Sequence, residues 1–143
     1  MNFDFQQLDL LDLISERHVK LRKAAEKQWN ERNDIYISRS EWFILARIFQ
    51  KEATTISFIS KSLDITRQAT HKFIKQLREK GLVEVGSLEN NKKEKRIQLT
   101  PFGLECYEKN EALKAEIEYV IGENIGHERV EQLKAILKMD WGL

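Results

Sequence analysis

The chain has 143 residues, 41% hydrophobic and 33% charged, with a formal net charge of +1. That length suits one real core, and the composition belongs to a folded, soluble protein rather than a disordered one. Apolar runs of only a few residues exclude a membrane span, and the acidic start (Asp4, Asp9 and Asp12 before Arg17) leads us to expect no secretory signal. Cys106 stands alone, which rules out an intrachain disulfide and fits a reducing cytoplasm.

The first element runs from about Asp9 to Arg32. Leu11, Ile14, His18, Leu21, Ala25 and Gln28 recur at three- and four-residue steps, the narrow stripe of a long helix packed along another helix. A second helix starts near Ser38, where Ser38-Arg39-Ser40-Glu41 matches a capping box. Trp42, Leu45, Ala46 and Phe49 are its expected apolar face. Thr55 then caps a short helix with Ile56, Ile59 and Leu63 inward. Asp64 falls at the turn, where a left-handed backbone suits Asp better than most residues. Thr66 caps the next helix, whose inward residues are Thr70, Phe73, Ile74 and Leu77 and whose stop is Gly81.

Leu82-Val83-Glu84-Val85 and Arg96-Ile97-Gln98-Leu99 alternate as strands, with the turn-like "GSLENNKKEK" between them. Thr100-Pro101 opens a helix to about Ile121, and a last helix runs from about Gly126 to Met139. The fold class is therefore mainly α with a small β-hairpin wing: a winged helix-turn-helix at about 38–100, with terminal helices at about 1–33 and 101–143. The whole of 1–143 is expected to form one domain.

The nearly neutral total hides a division of charge. Between Lys61 and Arg96 there are ten Lys or Arg and five Asp or Glu; from Leu104 to Leu143 there are five basic and nine acidic residues. Positive charge gathers on the helix pair and hairpin, as nucleic-acid binding requires of the binding face. Advancing 100° per residue from Thr70 turns Gln68, Lys72 and Lys75 away from the core, with His71 on the flank and Arg67 in the first turn. Gln pairs with adenine, and Arg or Lys reaches the guanine acceptors of the major groove. Lysines further along suit phosphates, and free N–H groups after Thr66 add an anion site. In the hairpin, Lys92, Lys93, Lys95 and Arg96 face Glu89 and Glu94, a basic loop suited to the backbone or the minor groove.

The chain resembles the MarR family of bacterial winged-helix transcription factors over essentially its whole length. The resemblance is carried by "SEWFILARI", "QLREKGLVEV" and "NKKEKRIQLTPFG". Relatives usually carry an Asp and, two residues on, an Arg in the wing; here those places hold Asn91 and Lys93. The resemblance implies that Lys93 takes the minor-groove role; without the planar fork of Arg and without a carboxylate brace, either the wing contact is weaker or Arg96 shares it. Thr70 replaces the family's usual apolar residue within the recognition helix.

Leu113, Ile117, Val120, Ile121, Ile125, Val130, Leu133, Ile136, Leu137 and Trp141 provide more apolar surface than a small winged domain covers. A two-fold homodimer follows, in agreement with the family, whose terminal helices interlock, and two recognition helices would read a pseudo-palindrome. The resemblance also implies a small aromatic effector, for which Trp29, Tyr36, Trp42, Phe43 and Tyr107 are the candidate contacts. No metal or cofactor is expected: His18, His71 and His127 are scattered, and no phosphate loop or nucleophile motif appears. Cys106 reads as a buried inert thiol. The expected protein is a cytoplasmic, homodimeric regulator of double-stranded DNA, acting as a repressor, and not an enzyme. A winged-helix module that docks a protein partner is the alternative, and the polar face of Gln68, Lys72 and Lys75 speaks against it.

Overall fold

A computed structural model of the protein describes residues 4–88 and 91–143, without the side chains of residues 87, 88 and 91–94. After a 3₁₀ turn at Phe5–Gln7, the elements are α1 (Leu10–Arg32), α2 (Arg39–Lys51), α3 (Ile56–Leu63) and α4 (Arg67–Glu79). A hairpin of β1 (Val83–Leu88) and β2 (Asn91–Leu99) follows, then α5 (Pro101–Ile125) and α6 (His127–Lys138). The chain divides into two compact units. Tyr36–Glu111 is one; Met1–Ile35 with Ala112–Leu143 is the other.

From α1 to α5, helix starts fall where a side-chain oxygen reaches forward to an unpaired N–H, whereas α6 follows Gly126 without a side-chain cap. Asp9, Ser38, Thr55 and Thr66 each accept from the backbone N–H three residues on, and Thr100 Oγ1 accepts from Gly103 N at 2.9 Å. Ser38 and Glu41 form the complete capping box. Each such cap is worth about 1 kcal/mol. Asp64, between α3 and α4, is left-handed at φ 51° and ψ 48°.

The core of the winged unit is built from Ile44, Leu45 and Ile48 of α2, Ile56 and Ile59 of α3, and Thr70, Ile74 and Leu77 of α4. Leu82, Val83, Ile97 and Cys106 complete it. Phe73 and Leu63 are only half-buried. The buried face of α2 also differs from the expected one: Trp42 is half-buried and Phe49 is 42% exposed, whereas Ile44 and Ile48 are fully covered. Trp42 through Leu45 is apolar without a break, so periodicity alone does not pick the inward side. β-branched Ile packs into the helix junction, and the larger aromatic rings remain at its edge.

The strands are longer than expected. They pair antiparallel from Val83↔Leu99 to Leu88↔Asn91 with an irregularity between Ser87 and Leu88, so most of the turn-like stretch is strand. Pairing the backbones of two strands needs no apolar alternation of their side chains. Thr54 and Ile97 exchange both backbone hydrogen bonds, at 2.9 and 2.7 Å, which ties the hairpin to the start of α3.

In the other unit, Trp29, Leu113 and Val130 are buried, and the Trp29 indole donates to the Ile35 carbonyl at 2.8 Å. Arg32 pairs with Glu116 at 2.9 Å and Lys134 with Glu118 at 2.7 Å, joining α1 and α6 to α5. Leu10, Leu11, Val120, Leu133, Ile136, Leu137 and Met139 stay at least half exposed. No helix among the described residues is long and apolar enough to cross a membrane.

Candidate nucleic-acid interface

The outward side of α4 is defined by what its inward side buries. Thr70 is fully covered, and its hydroxyl donates to the Thr66 carbonyl at 2.9 Å, so a polar residue sits in the core with its hydrogen bond satisfied. With Thr70, Ile74 and Leu77 inward, Arg67, Gln68, His71, Lys72 and Lys75 are all exposed, as is Arg78. From Arg67 through Arg78 there is no acidic residue.

These side chains do not form one undivided row. Arg67, His71, Lys75 and Arg78 line a cleft of about 270 Å³ beneath the hairpin, together with Ile56 and Ser57 of α3 and Val85, Lys95 and Ile97 of the strands. Arg67 Nη1 donates to Ser57 Oγ at 2.8 Å, which holds the guanidinium back toward α3. Gln68 and Lys72 belong to the outer side, away from that lining. Sequence reasoning misses Arg78 and Ser57. Arg78 carries a usable signal, since it continues the stripe of Arg67, His71 and Lys75 at helical steps; Ser57 has no local signal.

The strand alternation separates the two described wing cations. Lys95 lines the cleft beside α4, whereas the exposed Arg96 borders a shallow depression with Lys51, Glu52, Thr54 and Thr55. The side chains of Lys92 and Lys93 lie outside the described residues.

The C-terminal end of α4 is anchored at several points. Gly81, at φ 77°, closes the helix, and its carbonyl accepts from Thr100 Oγ1 at 2.6 Å. Thr100 N donates to the Leu82 carbonyl at 3.1 Å. A Cβ on Gly103 would stand 1.9 Å from that same carbonyl oxygen, so only glycine lets α5 approach the strand here. Lys80, at the helix end, donates to Glu41 Oε1 at 2.7 Å and to the Tyr36 carbonyl at 2.8 Å.

The aromatic candidates are dispersed. Trp29 is a buried residue of the terminal-helix unit with its N–H satisfied. Tyr36 is 63% exposed and lies under the Lys80 ammonium, Phe43 is 39% exposed, and Trp42 is half-buried. Tyr107 stacks on Phe49 at 4.4 Å between ring centroids; burial, then Glu111, pushes its phenol pKa up. Burial likewise raises the Cys106 thiol pKa against the opposing pull of Lys109. Among the described residues no three His, Cys, Asp or Glu side chains converge as metal ligands would.

A tandem of short helices joined through a left-handed residue, followed by a strand pair closed onto the first of them, defines a winged helix-turn-helix protein. Residues 37–95 match the MarR family, and that segment is a MarR family winged helix-turn-helix. No curated protein matches the chain in sequence. Among solved structures, the fold is similar to the reduced form of MarR from Escherichia coli, with a TM-score of 0.78 and 21% identity over 92% of this chain and 95% of that one. It is also similar to MepR, a transcription regulator of the Staphylococcus aureus multidrug efflux pump MepA, with a TM-score of 0.72 and 20% identity over 91% and 94%. A MepR variant bound to an oligodeoxyribonucleotide matches at a TM-score of 0.67 and 20% identity, covering 92% and 94%.

Proposed function

We propose that the protein is a homodimeric transcription regulator that binds double-stranded DNA at a pseudo-palindromic operator. It represses by occupying that site and responds to a small aromatic effector. The observation that carries the proposal is the outer surface of α4 from Arg67 through Arg78: four permanent cations, a glutamine and a histidine, with the one carboxylate of the helix, Glu79, only at its last residue. Such a helix projects donors toward base edges and cations toward phosphates, while a protein-docking helix would expose apolar anchors. The solved complex of a MepR variant with an oligodeoxyribonucleotide supports the reading by likeness of fold.

Gln68 and Lys72, outermost on α4, read bases together with Arg67 and His71. Lys75 and Arg78 hold phosphates, the free N–H groups after Thr66 add to them, and Lys95 with Lys92, Lys93 and Arg96 supplies the wing. The exposed apolar side chains of α1 and α6 support the dimer, since a patch of that kind on a monomer would favour association. Repression needs no further surface, because a bound dimer denies the site to other proteins. Tyr36, Trp42, Phe43 and Tyr107 are the rings proposed to meet an effector; Trp29 is committed to its own core.

Selection of bound duplexes from a random pool tests the proposal. An inverted repeat with half-site centres about one helical turn apart is the expected product. A pool without an enriched motif, or a single unpaired half-site, would overturn it.

A further inference from the structure

The side chain of Glu41 is the most deeply buried charge among the described residues of the winged unit. It is 2% exposed, its Oε1 accepts from Ser38 N at 2.9 Å and from Lys80 Nζ at 2.7 Å, and its Oε2 has no hydrogen-bond partner. Lys80, 39 residues further along the chain, is the C-terminal cap of α4. Its ammonium also donates to the Tyr36 carbonyl and stands 5.4 Å over the Tyr36 ring. One cation thus joins the first residue of the winged unit, the start of α2 and the end of the recognition helix.

Capping does not explain this arrangement. A capping box asks only for an oxygen at the third helical position, and a glutamine at a wet helix end serves as well. Nor does stability explain it, because a buried ion pair commonly contributes no more than apolar side chains of the same volume. What the pair adds is direction. Beneath α4 the packing of Ile74 and Leu77 is non-directional, whereas two hydrogen bonds from Lys80, of 2.7 and 2.8 Å, hold one end of the helix in place, the first to a carboxylate itself fixed by Ser38 N at 2.9 Å. A recognition helix must hold its side chains to within a fraction of an ångström to pair with base edges.

We infer that Glu41 and Lys80 are positioning residues of the DNA-binding site: the pair of a buried carboxylate and a half-buried ammonium fixes the end of α4 and thereby sets base discrimination without contacting DNA. The inference rests on the DNA-binding function proposed above. Lys80→Met alone leaves a buried carboxylate unpaired and is expected to unfold much of the protein. The decisive variant is therefore Glu41→Gln with Lys80→Met, which removes both charges and keeps the capping oxygen.

Thermal unfolding and binding to the selected duplex and to a random duplex would be measured across a salt series. The double variant should regain most of the wild-type melting temperature. Its affinity for the selected duplex should fall about tenfold or more, with random-duplex affinity and salt slope unchanged. Lys80→Arg, which keeps the cation, should retain selective binding. Wild-type discrimination in the folded double variant, a double variant that stays unfolded, or equal loss on both duplexes with a shallower salt slope would each overturn the inference. If the wild-type protein shows no salt-dependent duplex binding at all, the DNA-binding function fails first; a wild type that discriminates beside a double variant that does so equally rejects the positioning role alone.

Discussion

The two units of the chain solve the burial problem differently. In Tyr36–Glu111, Ile44, Leu45, Ile48, Ile59, Leu77, Leu82 and Ile97 are all fully covered by a unit of two strands and short helices. In the terminal-helix unit Trp29, Leu113 and Val130 are buried, while Leu133, Ile136 and Leu137 on α6 are 50%, 53% and 51% exposed. At roughly 25 cal/mol for each Å² of apolar surface, the first unit has gained most of what its core can supply and the second has not. Charge divides the same way: the excess of cations lies on the covered unit and the excess of carboxylates on the uncovered one. A polyanion suits the first and a second copy of the chain suits the second.

The sharpest way to break this comparison is to put charge on the uncovered side. Leu133 and Leu137 share a groove with Leu21, Ala25, Ile117 and Ile121. Leu133→Asp with Leu137→Asp should leave the winged unit folded but cost several kcal/mol of association, on the order of two carboxylates desolvated at an apolar interface. Sedimentation should then show monomers at concentrations where the wild type is dimeric. A dimer that survives both substitutions would place the subunit interface elsewhere.

Next in size is the winged unit's own closure. Gly103→Ala would drive a Cβ against the Leu82 carbonyl, and backbone cannot yield there as a flexible side chain can. The expected loss is about 2–3 kcal/mol in denaturant unfolding, typical of overpacking in a tight junction. A wild-type midpoint would show that α5 can move away from β1 freely.

How much of the molecule is legible in the sequence depends on the range of the interaction. Ser38, Thr55, Thr66 and Asp64 act within three or four residues, and each stands where its local pattern puts it. The inward face of α2 is not legible, because Trp42, Phe43, Ile44 and Leu45 are all apolar and only the neighbouring helices decide which side is covered. The strands run beyond their apolar alternation because backbone pairing tolerates Asn, Lys and Glu, which otherwise read as turn residues. At the candidate interface, the exposed face of α4 is legible from Thr70 outward, but its splitting by the hairpin is not. That splitting depends on Lys95 and Val85, brought across from the strands. The Glu41–Lys80 pair spans 39 residues and leaves no periodic trace.

A smaller effect tests the charge side of the comparison. Lys72→Ala with Lys75→Ala should leave stability nearly unchanged, since both side chains are exposed. It should also flatten the log–log salt dependence of duplex binding by about 0.9 for each phosphate that the variant no longer neutralises. If the slope does not change, neither lysine neutralises a phosphate.

The smallest expected change separates local order from direct DNA recognition. Thr66 Oγ1 accepts from Ala69 N at 3.0 Å, and the Thr66 carbonyl accepts from the buried Thr70 hydroxyl. Thr66→Ala removes the first bond and keeps the second, so unfolding should become easier by about 1 kcal/mol. Thr66→Ser restores the oxygen and should restore the stability. Duplex affinity distinguishes two roles for the same side chain. As a cap, it acts by holding the first turn of α4, and affinity should follow stability through both variants. If Thr66→Ser recovers stability but not affinity, the Thr66 methyl meets the DNA itself, and the purely polar account of the outer face of α4 would need an apolar contribution added.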